Sequence, residues 1–362
     1  MSSLGDLLAR AVELGASDVH LTPKQRPVLR INGGLYVADF EPLADDEMRI
    51  IAQELVPPHV RGQFEECHEC DFSHVEVGVG RFRCNVFYGK GVPALALRHV
   101  KAEIPTLESL NLPPGLRSCA AAPCGIVILS GTTSSGKSST LAELIGLINR
   151  TEQRRIITIE DPIEYEFVDD RSTITQREVG LDTRSFATGL RQVLRQDPDV
   201  ILVGEARDAE TLRIAIMAAE TGHLVLTTLH AGTASLALPR LLNEFPADER
   251  DRVRQAVAAN LHAIVCQRLL PTAQGGLVPA VECLFNTPIV RKLIAGDAIE
   301  KLDAAIETGN EDGLQSFDQA IFQLVRQGIV TERVGLEHAT HPEKLRMNLE
   351  GIFLDDSHHI LT

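Results

Sequence analysis

The chain contains no tryptophan and only 3 tyrosines in 362 residues, and aromatic side chains make up 4%. A surface that stacks the bases of a single strand needs such rings, so that class of binder is disfavoured. Positive charge is also short: 35 Lys and Arg against 50 Asp and Glu leave a formal net charge of −15. Binding a phosphate backbone requires clustered basic residues, so no nucleic acid partner is expected. No apolar run approaches the ~20 residues of a membrane-spanning helix, and the N-terminus lacks the basic-then-apolar order of a secretory signal. The seven cysteines are odd in number and scattered, which suits a reducing cytoplasm rather than a disulfide framework. Cys67-His-Glu-Cys70 has the spacing of half a zinc site, but no second Cys-x-x-Cys or His pair follows, so plain thiols are expected.

What is present centres on Gly131-Thr132-Thr133-Ser134-Ser135-Gly136-Lys137-Ser138, which fits the phosphate-loop pattern G-x-x-x-x-G-K-[ST]. The glycines permit a tight turn whose backbone N–H groups face phosphate oxygens. Lys137 supplies a mobile point charge for the β- and γ-phosphates, and the Ser138 hydroxyl a ligand for Mg²⁺. Ile126–Leu129 reads as a buried strand just before the loop, and Leu141, Leu144, Ile145 and Ile148 give helical spacing from about Ser139 onward. The positive end of that helix would point at the anion. A nucleotide site with Mg²⁺ is the expectation.

A length of 362 residues allows two domains, and hydrophobic content of 44% is ordinary for a globular chain. Residues 1–100 read as a small α+β domain with helices over 3–14 and 45–55, short strands over 17–21 and 28–31, and a hairpin at Asn32-Gly33-Gly34. Gly80–Tyr88 alternates with period two, placing Arg81 and Arg83 on one face and Phe82, Cys84 and Val86 on the other; Val92–Val100 follows as a strand carrying Arg98. These arginines are either an ordinary solvated face or a set aimed at a phosphate. Residues 101–116, with Pro105, Pro113 and Pro114, read as a linker, and 117–362 as the nucleotide domain.

Four apolar runs in that domain, Ile126–Leu129, Ile156–Ile159, Val200–Val203 and Leu224–Leu226, look like buried parallel strands separated by helical pattern, which makes the class α/β. Each ends in reactive residues: the phosphate loop, Glu160-Asp-Pro-Ile-Glu164, Gly204-Glu205-Ala-Arg207-Asp208 and Thr227-Thr-Leu-His230. Ligands bind outside the carboxyl ends of such strands. A Mg–nucleotide site needs one acid near the metal and another to orient the attacking water, and Glu205, Glu160, Asp161 and Glu164 are the candidates. Asp208 fits the simpler role of a helix N-cap. Towards the C-terminus, a long helix is expected over 248–266, another over 317–325, and little packing pattern in 351–362.

Gly131–Ser138, Ile159–Glu164, Asp197–Glu205 and Thr221–His230 together resemble the Walker A, Asp box, Walker B and His box of the secretion-type ATPases. Gly15-Ala-Ser-Asp-Val-His20 and Gly80-Arg-Phe-Arg83 fit the same family, so the resemblance covers nearly the whole chain. Within it the chain resembles the type IV pilus retraction branch, PilT and PilU, through Thr175–Thr183 and Gly313–Gln319; the segments 68–72 and 243–248 favour the PilU side. The paired Cys-x-x-Cys of the extension ATPases is missing from this sequence, and their extra N-terminal domain is not expected. The resemblance implies a RecA-like P-loop ATPase domain preceded by a PAS-like domain. It implies that Lys137, Ser138, Ser139 and the rest of the loop bind phosphate and metal, and that Glu205 is the catalytic glutamate. Glu164 would assist around the attacking water, and His230 would sense the γ-phosphate at a subunit boundary. Glu160 would stand with Ser138 and Glu205 at the metal, while Arg81, Arg83 and Arg98 would reach nucleotide from the small domain. It further implies a homohexamer at the cytoplasmic face of the inner membrane, driving pilus retraction through the platform protein, with a PilT paralogue as a further partner. Two departures are Thr132 and Ser134, where the family often has Pro and Gly, and Ile289-Val-Arg-Lys-Leu-Ile294 in a motif that PilT spells Ala-Ile-Arg-Asn-Leu-Ile. A nucleotide-binding accessory subunit, or a RecA-like nucleic-acid motor, are the other readings.

Overall fold

A run of leucines at helical spacing opens the chain. The computed structural model describes residues 4–31, 33–100 and 103–352, and over these α1 (Leu4–Glu13) buries Leu7, Leu8 and Ala11. Its continuation is broken at Gly15, whose φ of +70° is the left-handed turn that ends helices. Strands β1 (Ala16–Leu21), β2 (Val28–Ile31) and β3 (Gly34–Val37) follow, then α2 (Asp45–Leu55) and α3 (Pro58–Cys67). Strands β4 (Glu69–Glu76), β5 (Gly80–Gly89) and β6 (Val92–His99) complete the first sheet. Its order is β3-β2-β1-β6-β5-β4, and every pairing is antiparallel. The β2–β3 hairpin forms as the sequence predicts, with Ile31 opposite Gly34; Asn32 in its turn lies outside the described residues. The period-two alternation of β5 turns Phe82, Cys84 and Val86 into the core and leaves Arg81 and Arg83 on the opposite face. Cys67 is exposed and Cys70 buried, and among the described residues no group of three or more His, Cys, Asp or Glu is arranged to hold a metal ion.

The first compact unit comprises Met1–Glu103 together with Pro162–Glu166, and the second Ile104–Asp161 together with the chain from Phe167 on. Most of the expected linker therefore belongs to the second unit. Leu107, Leu112 and Leu116 are buried in its core, and the Leu107 N–H donates to Glu143 Oε1 at 3.1 Å. The prolines limit regular structure here to a 3-10 turn at Pro114–Leu116, but the leucines have apolar surface to bury.

The second unit continues through α4 (Arg117–Ala121), β7 (Gly125–Ser130), α5 (Lys137–Thr151), β8 (Arg155–Glu160) and β9 (Thr173–Glu178). It then runs through α6 (Phe186–Val193), β10 (Val200–Val203), α7 (Ala209–Glu220), β11 (Leu224–Leu229), α8 (Ala234–Asn243) and α9 (Arg250–Asn260). The hairpin β12 (Leu261–Pro271) and β13 (Leu277–Phe285) follows. Last come α10 (Pro288–Ala295), α11 (Leu302–Thr308), α12 (Phe317–Arg326), α13 (Glu332–His338) and α14 (Pro342–Leu349). The sheet order is β13-β12-β7-β11-β10-β8-β9; all neighbours are parallel except β12 and β13. The four apolar runs are its central strands. Their residues alternate between two cores: Ile128, Ile157, Ile201 and Val225 face one, and Val127, Leu129, Ile156, Leu202 and Leu226 face the other. Burial on both faces is why these strands read as unbroken apolar runs.

One helix expectation fails. Residues 248–266 do not form one long helix: α9 stops at Asn260, and Leu261–Cys266 enter the sheet beside β7. The spacing of Val253, Val257, Leu261, Ile264 and Val265 suits a helix face, yet Ile264 and Val265 are β-branched and the strand buries both on opposite faces. The helix over 317–325 is α12. Of the C-terminal segment 351–362, residues 353–362 lie outside the described residues.

Candidate functional site

Strand β7 delivers the chain into Gly131 and α5 takes it up at Lys137. Gly131 has a φ of +145° and Gly136 one of +89°. A Cβ on Gly131 would lie 2.5 Å from both the main-chain oxygen of Gln267 and the Ser135 hydroxyl, so the first glycine is demanded by close packing as well as by its dihedral. Ser134 also takes a positive φ, +62°. Lys137 Nζ donates to the carbonyls of Gly131 (3.0 Å) and Thr132 (2.8 Å), folding the ammonium back over the loop. With N–H groups of the first turn of α5 at its mouth, the loop is a cradle for an anion.

The acids come from the neighbouring strand ends. Glu205 follows β10, and its side chain is 15% exposed. His230 Nε2 lies 2.8 Å from its Oε1, and Arg207 Nε is bonded to the same oxygen. Burial pushes the Glu205 carboxyl up, but the hydrogen bonds and charges of Arg207 and His230 outweigh it and leave its pKa below the ordinary value. The backbone around this group is fixed from three sides. Gly204 N–H donates to the Ile159 carbonyl at 2.8 Å, Thr228 Oγ1 donates to the Gly204 carbonyl at 2.7 Å, and the Ser130 hydroxyl bonds both N–H and C=O of Ala231. A Cβ on Gly204 would fit only tightly, 3.2 Å from the Ile159 carbonyl.

Glu160, at the end of β8, receives hydrogen bonds from Thr158 Oγ1 (2.6 Å) and Gln176 Nε2 (3.1 Å) on one oxygen. Asp208 caps α7, accepting from the Thr211 N–H at 2.8 Å. The structure thus brings Glu205, His230 and Arg207 into contact, and puts Glu160 at the end of the strand paired with β10. Glu164 falls in the segment that groups with the first unit. In that unit Arg83 stands directly opposite Arg98 across the β5–β6 ladder. Arg98 Nε is bonded to Asp18 at 2.8 Å, and Arg81 pairs with Glu166 at 3.7 Å. Like charges directly opposite are unfavourable unless something neutralises them.

Arg207, Thr228 and Gln267 were not expected as site residues. Arg207 and Thr228 stand inside the strand-end motifs, where a basic or hydroxyl side chain two or three residues from a glutamate or histidine was a readable signal. Gln267 was hidden by the reading of its surroundings as helix.

The chain has relatives among known proteins. A family model described as "Type II/IV secretion system protein" matches residues 96–283. The chain is 41% identical to the type IV pilus ATPase PilU of Pseudomonas aeruginosa over 98% of its length and 93% of the relative's. It is 38% identical to the retraction ATPase PilT of the same organism over 93% of its length and 98% of the relative's. Among solved structures, that of the pilus retraction motor PilT with bound ADP matches with a TM-score of 0.88 at 41% identity, covering 95% of this chain and 99% of that one.

Proposed function

Since the chain belongs to the type II/IV secretion ATPases, in the branch of the pilus retraction motors, we propose that it hydrolyses ATP to drive retraction of a type IV pilus. The observation that carries this is the ionised Glu205 carboxylate, held by His230 and Arg207 at a strand end of the sheet whose strand β7 leads into the phosphate loop. A carboxylate kept charged and fixed can orient and deprotonate an attacking water.

In this reading residues 131–139 cradle the phosphates, with Lys137 exchanging its loop carbonyls for phosphate oxygens. Mg²⁺ would be held by Ser138 and, through water, by Glu205 and Glu160. When bound, the ion neutralises charge between the phosphates. Glu164 assists at the water, and His230 reports the γ-phosphate to Glu205. The facing pair Arg83 and Arg98, with Arg81, supplies positive charge to a nucleotide, and the first unit serves as a PAS-like module. The domains are the two units of the fold, Met1–Glu103 with Pro162–Glu166 and Ile104–Asp161 with the chain from Phe167 on. The working form is a homohexamer, cytoplasmic and seated at the inner-membrane platform protein, alone or beside a PilT paralogue. Among the described residues no helix is long and apolar enough to cross a membrane.

The test is ATP turnover by the purified protein, alone and with a PilT partner, together with pilus retraction in cells carrying Lys137→Ala. Turnover that Lys137→Ala abolishes, with loss of retraction, supports the reading. Turnover unaffected by Lys137→Ala overturns it.

A further inference from the structure

Two polar groups at the root of the phosphate loop are buried without partners. Gln267, on β12, is 1% exposed and Ser135, within the loop, is 3% exposed. Neither Gln267 Oε1 nor Ser135 Oγ has a hydrogen-bond partner in the structure. Leaving such a group unsatisfied costs about 1–3 kcal/mol, so two together need a reason.

Their placement supplies one. The main chain of Gln267 and the hydroxyl of Ser135 crowd the same point beside Gly131, each 2.5 Å from where a Cβ would be. The side chain of Gln267 reaches on towards Gly136, its Nε2 3.9 Å from the Cβ position there. The residue therefore spans the root of the loop, with its main chain against the first glycine and its amide towards the last. Within the loop, Lys137 Nζ bonds the carbonyls of Gly131 and Thr132. A phosphate entering the cradle competes for that ammonium. Each carbonyl it releases then needs another donor, and each backbone N–H drawn to the phosphate pulls the loop against β12. The amide of Gln267, donor and acceptor at once, and the hydroxyl of Ser135 are the groups in place to absorb that change.

We infer that Gln267 is a positioning residue for the phosphate loop: its buried amide bonds to Ser135 and the loop backbone when phosphate is bound, and so tightens nucleotide binding without touching the nucleotide. This rests on the nucleotide-site reading above. It gives the orphaned polar atoms a use in one state that offsets their cost in the other.

The experiment measures affinity for ADP and for a non-hydrolysable ATP analogue by displacement of a fluorescent nucleotide. It compares the full-length wild type, Gln267→Met, Ser135→Ala, the double variant and Lys137→Ala. Thermal melting without nucleotide is recorded alongside. Methionine keeps the length of glutamine and removes the unsatisfied amide, so Gln267→Met should melt at or above the wild-type temperature. Its ADP affinity should fall roughly 5–30-fold, the equivalent of one buried hydrogen bond. Ser135→Ala should lose a similar factor, and the double variant no more than the larger single loss. Unchanged ADP affinity in either single variant overturns the inference, as do fully additive losses. Ser135→Ala keeps it refutable if Gln267→Met fails to fold. A wild type that binds no ADP sinks the nucleotide-site reading itself. A wild type that binds, a Lys137→Ala that does not, and unaffected Gln267 and Ser135 variants sink only this inference.

Discussion

His230 Nε2 lies 2.8 Å from Oε1 of Glu205, though 25 positions separate them in the chain. The contact exists because β10 and β11 are parallel neighbours in register from Val200 opposite Leu224 to Val203 opposite Thr227. The histidine ties the end of β10 to the end of β11 through this carboxylate. Glu205→Gln should keep ADP binding and lose about 10²–10⁴-fold in turnover, the usual cost of a positioned base. Steady-state hydrolysis with a parallel binding titration checks it; near-normal turnover would move the role to Glu164.

Arg207 and His230 hold the pKa of Glu205 below its ordinary 4.5 despite burial. A depressed carboxylate adds stability that is present above its unfolded pKa and lost as pH falls through the lower folded value. Arg207→Ala removes part of the opposing charge, so the acidic limb of the pH–rate profile should move to higher pH. Profiles of wild type and variant recorded from about pH 4 to about pH 8 decide this; coincident acidic limbs would rule Arg207 out as the cause.

Glu282 behaves in the opposite sense. Burial pushes its carboxyl up to about 7, against the Ala234 N–H, which donates to it at 2.7 Å. A raised acid favours the protonated folded state, so stability should be lost as pH climbs from the ordinary 4.5 through about 7. Glu282→Gln, neutral throughout, should show a melting temperature that changes less between about pH 5 and about pH 8 than that of the wild type. Identical pH slopes would mean that Glu282 does not titrate in that window.

Gly131→Ala should abolish ADP-induced thermal stabilisation. The added Cβ would meet the Gln267 main-chain oxygen at 2.5 Å, and a strand backbone cannot step aside as a side-chain tip can. An undiminished ADP shift would contradict the packing described here.

Arg83→Ala should leave the folding of the first unit intact or improve it, because it removes one of two arginines facing each other across β5 and β6. Turnover should nevertheless fall if that pair serves a nucleotide. A lowered melting temperature with unchanged turnover would assign Arg83 a purely structural role.

The phosphate loop was legible because it is contiguous and its glycines are demanded by local geometry. The four central strands were legible because burial on both faces leaves unbroken apolar runs. Strand order is not written in any run, so the strand ends could be named but not the contact of Glu205 with His230. β9 escaped notice because Thr173–Glu178 is largely polar, as an edge strand can be. β12 was misread because Leu261–Cys266 satisfies both periodicities, and only its pairing with β7 separates them. That misreading concealed Gln267, whose significance depends on lying beside the loop.

Residues Pro162–Glu166 belong to the first unit although both flanking stretches belong to the second. The polypeptide therefore passes between the units three times rather than once. Neither unit can be cut out as a single continuous piece of gene: a fragment ending at Glu103 would deprive Arg81 of Glu166, and a fragment beginning at Ile104 would carry five residues of its neighbour. A cut after Val100 would leave residues 162–166 of the first unit on the C-terminal fragment. Recombination that exchanged the N-terminal unit between relatives would have to carry the 162–166 segment with it or accept a mismatched one.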